Sequence, residues 1–234
     1  MTTLVLLHGW GAAGDVWQPQ AVEFQDRAAV LTPTIPAWEA DWLAGYLREL
    51  PLNECVLVGW SLGGMLLVEA LSGHQGAPPA ELVLVGVAPV FTRRPDYPWG
   101  QPPAVVRAMR RGVKDNPRRV LTEFAEQCLA PGEAAYHSQA LAAFGSLPAC
   151  GVLTAGLDYL LNCDLRPLLA GLPRGAVIIQ GQEDRIVPPA QGRVLRDQLP
   201  EARLCEVPGA GHLPFLTQAP RFNRMIAECL NRVN

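Results

Sequence analysis

Cys55-Val56-Leu57-Val58-Gly59-Trp60-Ser61-Leu62-Gly63-Gly64-Met65-Leu66-Leu67-Val68 passes from an apolar, β-rich run through G-x-S-x-G into a run of helix formers. That strand–turn–helix order is what a nucleophile elbow requires, and it makes Ser61 the candidate nucleophile. Glycine is expected at 59 and 63 because the turn is tight: a Cβ at either place would crowd the neighbouring strand or the first helical turn. The helix that follows aims its N-terminal N–H groups at the site, where negative charge develops during acyl transfer.

Outward from the elbow, apolar runs at 3–8, 28–32, 82–87, 176–181 and 202–207 read as strands, and 38–49, 62–73, 189–199 and 218–232 carry helical spacing. Apolar strands separated by helices describe an α/β fold, a mostly parallel sheet of about six strands covered on both faces. Asp15 reads as an N-cap. From 91 to 171 the strand signal disappears; four prolines (Pro95, Pro98, Pro102, Pro103) lead into helical patterns near 103–113, 117–129, 133–146 and 149–162. Such a block is most simply an insertion over the C-terminal edge of the sheet, where ligands bind. The expected division is therefore a core of 1–90 and 172–234 with a helical lid of 91–171. Leu121, Phe124, Leu129, Phe144, Leu147, Leu153 and Leu157 should pack the lid, some of them lining a slot for an acyl chain.

The companions of Ser61 follow from the chemistry. The loop His8-Gly9-Trp10-Gly11 follows the first strand, where a backbone N–H joins that of the residue after the serine to form an oxyanion hole. Trp10 and Leu62 are the candidate donors, and the Trp10 indole reads equally as a pocket wall or as core. His8 is expected to shape the loop by local hydrogen bonding rather than to exchange protons. A carboxylate belongs on the loop after a late strand, here Gly181-Gln182-Glu183-Asp184-Arg185; Asp184 is the candidate, with Glu183 adjacent. His212, in Gly209-Ala210-Gly211-His212-Leu213, completes the order Ser, Asp, His. In such a triad His212 takes the proton of Ser61 and Asp184 fixes the imidazole tautomer.

Composition excludes several classes. With 234 residues, 49% of them hydrophobic, the chain can bury the core of one α/β domain. A net charge of −3 offers no basic field for nucleic acid. Leu4-Val5-Leu6-Leu7-His8-Gly9 reads as a buried strand rather than a secretion signal, and no run approaches the about 20 apolar residues of a membrane span. Six cysteines lie scattered without C-x-x-C pairs, which argues against a zinc or redox site and for reduced, mostly buried thiols in a cytoplasmic protein. The chemistry calls for no metal and no cofactor.

Together His8-Gly9-Trp10, Gly59-Trp60-Ser61-Leu62-Gly63-Gly64, Gly181-x-x-Asp184 and Gly211-His212 resemble the α/β-hydrolase family over essentially the whole chain. Within it, Leu6-Leu7-His8-Gly9-Trp10-Gly11, Glu123-Phe124 and Gly156-Leu157-Asp158-Tyr159-Leu160-Leu161-x-x-Asp164-Leu165-Arg166 look most like the pimeloyl-acyl-carrier-protein methyl ester esterases of biotin synthesis. That resemblance implies a serine carboxylesterase cleaving a methyl ester on a carrier-bound acyl chain, with Trp10, Leu62 and Phe124 near the chain. It also implies docking of the acidic carrier protein on basic lid residues, here Arg107, Arg110, Arg111, Lys114, Arg118 and Arg119. A solvated helix face accounts for the same stripe. Two positions depart from the pattern: Glu123 precedes Phe124 where a cation would suit an acidic partner, and 133–147 contains no Lys or Arg. The alternatives are a general short-acyl carboxylesterase without a carrier, a carbon–carbon bond hydrolase or perhydrolase using the same triad, and a non-catalytic binding protein on the same scaffold.

Overall fold

Parallel strands cannot be joined by tight turns, so each crossover has to carry the chain back over one face of the sheet. A computed structural model, which describes residues 1–233, shows how this chain does it. Among the described residues six strands, β1 (Thr3–Leu7), β2 (Ala29–Leu31), β3 (Cys55–Trp60), β4 (Glu81–Val85), β5 (Val177–Gly181) and β6 (Arg203–Val207), form one sheet in the order β2-β1-β3-β4-β5-β6. Every neighbouring pair is parallel. The crossovers hold α1 (Gln18–Phe24), α2 (Ala40–Arg48) and α3 (Leu62–Ser72), and after β5 come α8 (Pro189–Gln198), α9 (Pro214–Thr217) and α10 (Ala219–Val233). β3 is buried along its whole length and α3 is buried on nearly every side, as a helix apolar all round must be.

The strand order reverses beside β1: the chain steps from β1 out to β2, then returns to lay β3 on the other side of β1, with Leu7 opposite Gly59. Loops leaving adjacent strands in opposite directions open a crevice at their C-terminal ends, and that is where doubly wound sheets bind ligands. The loop after β1 and the elbow after β3 therefore face each other.

Between β4 and β5 lie α4 (Pro103–Asp115), α5 (Pro117–Gln127), a 3₁₀ segment (Pro131–Tyr136), α6 (His137–Ala143) and α7 (Cys150–Asn162). The run expected as one helix over 133–146 is broken. Glu133 leaves helical backbone (φ −103°, ψ 17°) because its side chain turns inward to accept backbone N–H groups. Asp15 caps nothing; it sits inside a 3₁₀ turn (Gly14–Trp17) preceded by Ala13.

The Asp158–Arg166 segment fastens this insertion. Asp158 binds Arg110 through both oxygens (2.5 and 2.9 Å), joining α7 to α4. Tyr159 donates its hydroxyl to Glu69 of α3 (2.5 Å), and Asp164 receives Arg94 (3.2 Å) and Arg166 (2.6 Å). All six cysteines are free; Cys55, Cys128 and Cys229 are buried, Cys163 and Cys205 half-buried, and Cys150 exposed, so only half are hidden rather than most. No helix among the described residues is long and apolar enough to cross a membrane, and no cluster of His, Cys, Asp and Glu there is placed to hold a metal.

Candidate active site

Ser61 stands between β3 and α3 with φ 54° and ψ −123°, a conformation a serine adopts only when its surroundings impose it. Its N–H bonds the Val85 carbonyl at the end of β4 (2.9 Å), and its C=O accepts the Met65 N–H of the first α3 turn (3.0 Å). The two elbow glycines are required by clearance. A Cβ on Gly63 would overlap the His8 carbonyl oxygen, and one on Gly59 would lie 2.5 Å from the Gly64 Cα. Where the sequence predicts crowding against the neighbouring strand or the first helical turn, Gly63 meets the end of β1 and the residue after it, and Gly59 meets the start of α3.

His212 and Asp184 meet on the far side of β4. Asp184 Oδ2 lies 2.7 Å from His212 Nδ1 and accepts the Gln180 amide (3.2 Å), while Oδ1 accepts the Ile186 and Val187 N–H groups (2.8 Å each). The carboxylate is thereby held as an acceptor on both oxygens, so Nδ1 carries the proton and donates it, leaving Nε2 with its lone pair. Glu183 is exposed and contributes only its N–H, to the Ala210 carbonyl. His212 is fully buried, and Nε2 has no hydrogen-bond partner among the described residues, Ser61 included. Gly86, at φ +55°, leaves room for the pair: a Cβ there would stand 3.1 Å from the His212 ring and 3.4 Å from Asp184 Oδ2. Ser61, bonded to Val85, and His212, packed on Gly86, therefore contact adjacent residues at the end of β4.

The His212 backbone is clamped. Its carbonyl accepts the Trp60 indole N–H (3.0 Å), its N–H donates to the Cys128 carbonyl (2.7 Å), and the Gly211 N–H donates to Glu133 Oε2 (3.0 Å). Burial, with the Asp184 charge second, pushes the Cys128 thiol well above its ordinary range, so this nearby sulfur stays protonated.

On the other side, a Cβ on Gly9 would lie 3.1 Å from the Ser61 Cβ, which puts the loop after β1 directly against the serine. His8 shapes that loop: Nε2 accepts the Ile35 N–H (2.8 Å), so Nδ1 donates to the Gly9 carbonyl (2.9 Å). Burial is the main cause that lowers its pKa to about 4, which keeps it neutral. The N–H groups of Trp10 and Leu62 make no hydrogen bond among the described residues. Trp10 is both wall and core: it lines the cavity beside Ser61, its indole donates to the Leu153 carbonyl of α7 (2.8 Å), and its ring meets Phe124 edge to face at 5.0 Å.

That cavity is bounded by Trp10, Phe91, Val105, Val106, Met109, Phe124, Leu157, Leu160 and Ile186, with Ser61, Gln101, Gln127 and Arg185 as its polar members. Phe124 and Leu157 are where the sequence expects an acyl slot; Leu62 is fully buried and does not line it. Phe91, Met109 and Gln127 carry no sequence signal that marks them. Gln180 does: it is the one amide in an otherwise aliphatic stretch of β5, four residues before the acid. Of the basic residues, Arg107, Arg111, Lys114 and Arg118 are exposed and have no ion pair among the described residues. Arg110 is engaged by Asp158, and Arg119 reaches Glu123 (3.4 Å).

A model described as "Alpha/beta hydrolase family" matches residues 4–225. The chain is 33% identical over 232 residues to the pimeloyl-[acyl-carrier protein] methyl ester esterase of Aromatoleum aromaticum, covering 92% of both proteins. It is 33% identical over 240 residues to the protein of the same name in Chromobacterium violaceum, covering 97% of this chain and 93% of that one. An esterase from Exiguobacterium antarcticum superposes with a TM-score of 0.86 at 22% identity, over 99% of this chain and 92% of its own. At that identity the likeness concerns the fold.

Proposed function

The chain belongs to the α/β-hydrolase family, and from that premise we propose that it is a serine carboxylesterase whose substrate is a pimeloyl-carrier-protein methyl ester. The observation that carries ester hydrolysis is the unpartnered Nε2 of His212, backed by Asp184, together with a serine in elbow geometry at the adjoining end of β3. Ser61 attacks the ester carbonyl while Nε2 takes its proton; the oxyanion is met by the Trp10 and Leu62 N–H groups; methanol leaves with the proton from His212, and water repeats the sequence on the acyl-enzyme. The Ser61–His212 hydrogen bond closes when substrate fills the cavity, as catalytic contacts commonly do. The helical segment between β4 and β5 acts as the lid, with Phe124 and Leu157 against the acyl chain. The relatives' names support the carrier-bound substrate. The free cysteines fit a reducing, cytoplasmic setting.

A fluorophosphonate should place one adduct on Ser61, and Ser61→Ala should lower methanol release from the pimeloyl-carrier ester by at least about 10³-fold without unfolding the protein. The wild-type gene should restore growth without biotin to a host lacking its own esterase. A folded wild-type protein that neither labels nor turns over ester would overturn the reading.

A second reading, a carboxylesterase without a carrier, is favoured by Arg110 and Arg119 being already paired and by Glu123 on the exposed face of α5. Reversing the charge of Arg107, Arg111, Lys114 and Arg118 separates the two. Carrier docking predicts a raised KM for the carrier-linked ester alone, falling off with salt, and an unchanged free methyl ester. Equal effects on both esters select the carrier-free enzyme.

A further inference from the structure

We propose that Glu133, in the helical insertion, is a positioning residue for His212; the inference rests on the serine-esterase reading above. Glu133 is buried, 4% exposed, and its Oε2 accepts two backbone N–H groups, Ala130 at 2.8 Å and Gly211 at 3.0 Å. The first bond closes a local turn. The second spans 78 residues and ends on the N–H of the residue immediately before the general base. The fit is close on all sides: a Cβ on Gly211 would overlap the Cys128 carbonyl oxygen and lie 2.7 Å from the Ala130 nitrogen and 3.0 Å from Oε2.

Glu133 Oε2 stabilises the fold by satisfying two buried donors, but the carboxylate also carries a cost on its other oxygen. Glu133 Oε1 is buried with no hydrogen-bond partner among the described residues, and a buried carboxylate left half satisfied is costly. What the charge supplies is a stronger grip, since N–H bonds to an ionised oxygen are roughly twice as strong as neutral ones. With Cys128 holding the His212 N–H and Trp60 its carbonyl, Glu133 makes the third tie on two consecutive residues, Gly211 and His212. Two of the three come from the insertion, so the seat of the lid on the core and the aim of Nε2 are one mechanical unit. Proton transfer from Ser61 is sensitive to that aim, because small misplacements at a reacting centre cost up to about 10²-fold in rate.

The test compares wild type, Glu133→Gln and Glu133→Ala on a free methyl ester, with active sites counted by fluorophosphonate labelling carried to completion. Gln keeps one acceptor oxygen and Ala none. The expected result is full labelling in each folded variant and kcat per labelled site falling in the order wild type, Gln, Ala, by about 10- to 100-fold at the end of the series, with KM little changed. The rate of labelling, which depends on the same base, should fall in parallel. A lower melting temperature or labelled fraction with wild-type kcat per site would make Glu133 merely structural and overturn the proposal. If the Ala variant fails to fold, the Gln variant decides alone. Ser61→Ala in the same series keeps the two readings apart: undiminished turnover there defeats the esterase mechanism, whereas a wild-type Gln variant defeats only the role of Glu133.

Discussion

Asp184 shows how much one side chain can be made to do. Four hydrogen-bond donors converge on it, one of them the imidazole, and each fixes either the acid or the tautomer of His212. Asp184→Asn would present an amide where an acceptor is needed, so kcat should fall about 10³- to 10⁴-fold with the backbone unmoved, measured by ester turnover and circular dichroism. Gly86→Ala should be nearly as damaging, because its methyl would enter the space of the His212 ring at a positive φ. His8 predicts a pH effect on stability. Its folded pKa of about 4 lies below the ordinary 6.5, so between those values the unfolded chain binds a proton that the folded chain refuses. Stability from this group is present above pH 6.5 and is lost as pH falls toward 4, by about 3 kcal/mol at the low end, and His8→Asn should flatten that slope in denaturant titrations across the window. The Asp184–His212 pair, the elbow at Ser61 and the local role of His8 were legible because each residue stands shortly after a strand in a short, glycine-marked loop. Glu133 was not: its partner lies 78 residues away, and on paper it is one more acid in a helical run.

At the scale of elements, the sheet was readable because buried parallel strands are near-continuous aliphatic runs, and the strand limits fall within two residues of the apolar segments. The insertion was readable as helical but not in its fastenings. Arg110 looks like part of a basic stripe, yet Asp158, 48 residues on, takes both ends of its guanidinium. Arg110→Ala should therefore loosen α4 from α7, raising hydrogen exchange in both helices, while leaving the salt dependence of carrier-linked turnover as it is. Tyr159→Phe removes the hydroxyl that reaches Glu69, and α7 should again exchange faster than the core strands. Burial is the leading cause that pushes the Tyr159 hydroxyl far above its usual range, so alkaline pH does not strip the proton from this tie.

For the molecule as a whole, the thiols report packing directly. Cys150 is exposed, whereas Cys55, Cys128 and Cys229 are buried, and burial pushes Cys229 up to about 11. Iodoacetamide on native protein at pH 8 should modify Cys150 first and reach the buried three only on unfolding, as peptide mass spectrometry would show. Trp10 leads to a broader consequence. The peptide proposed to meet the oxyanion belongs to a residue whose indole is tethered to α7, so on that reading the pocket cover and the site beneath it share a fixture. Swapping in the cap of another hydrolase would alter turnover as well as chain-length preference, and specificity here is not a cassette that can be exchanged without retuning the chemistry beneath it.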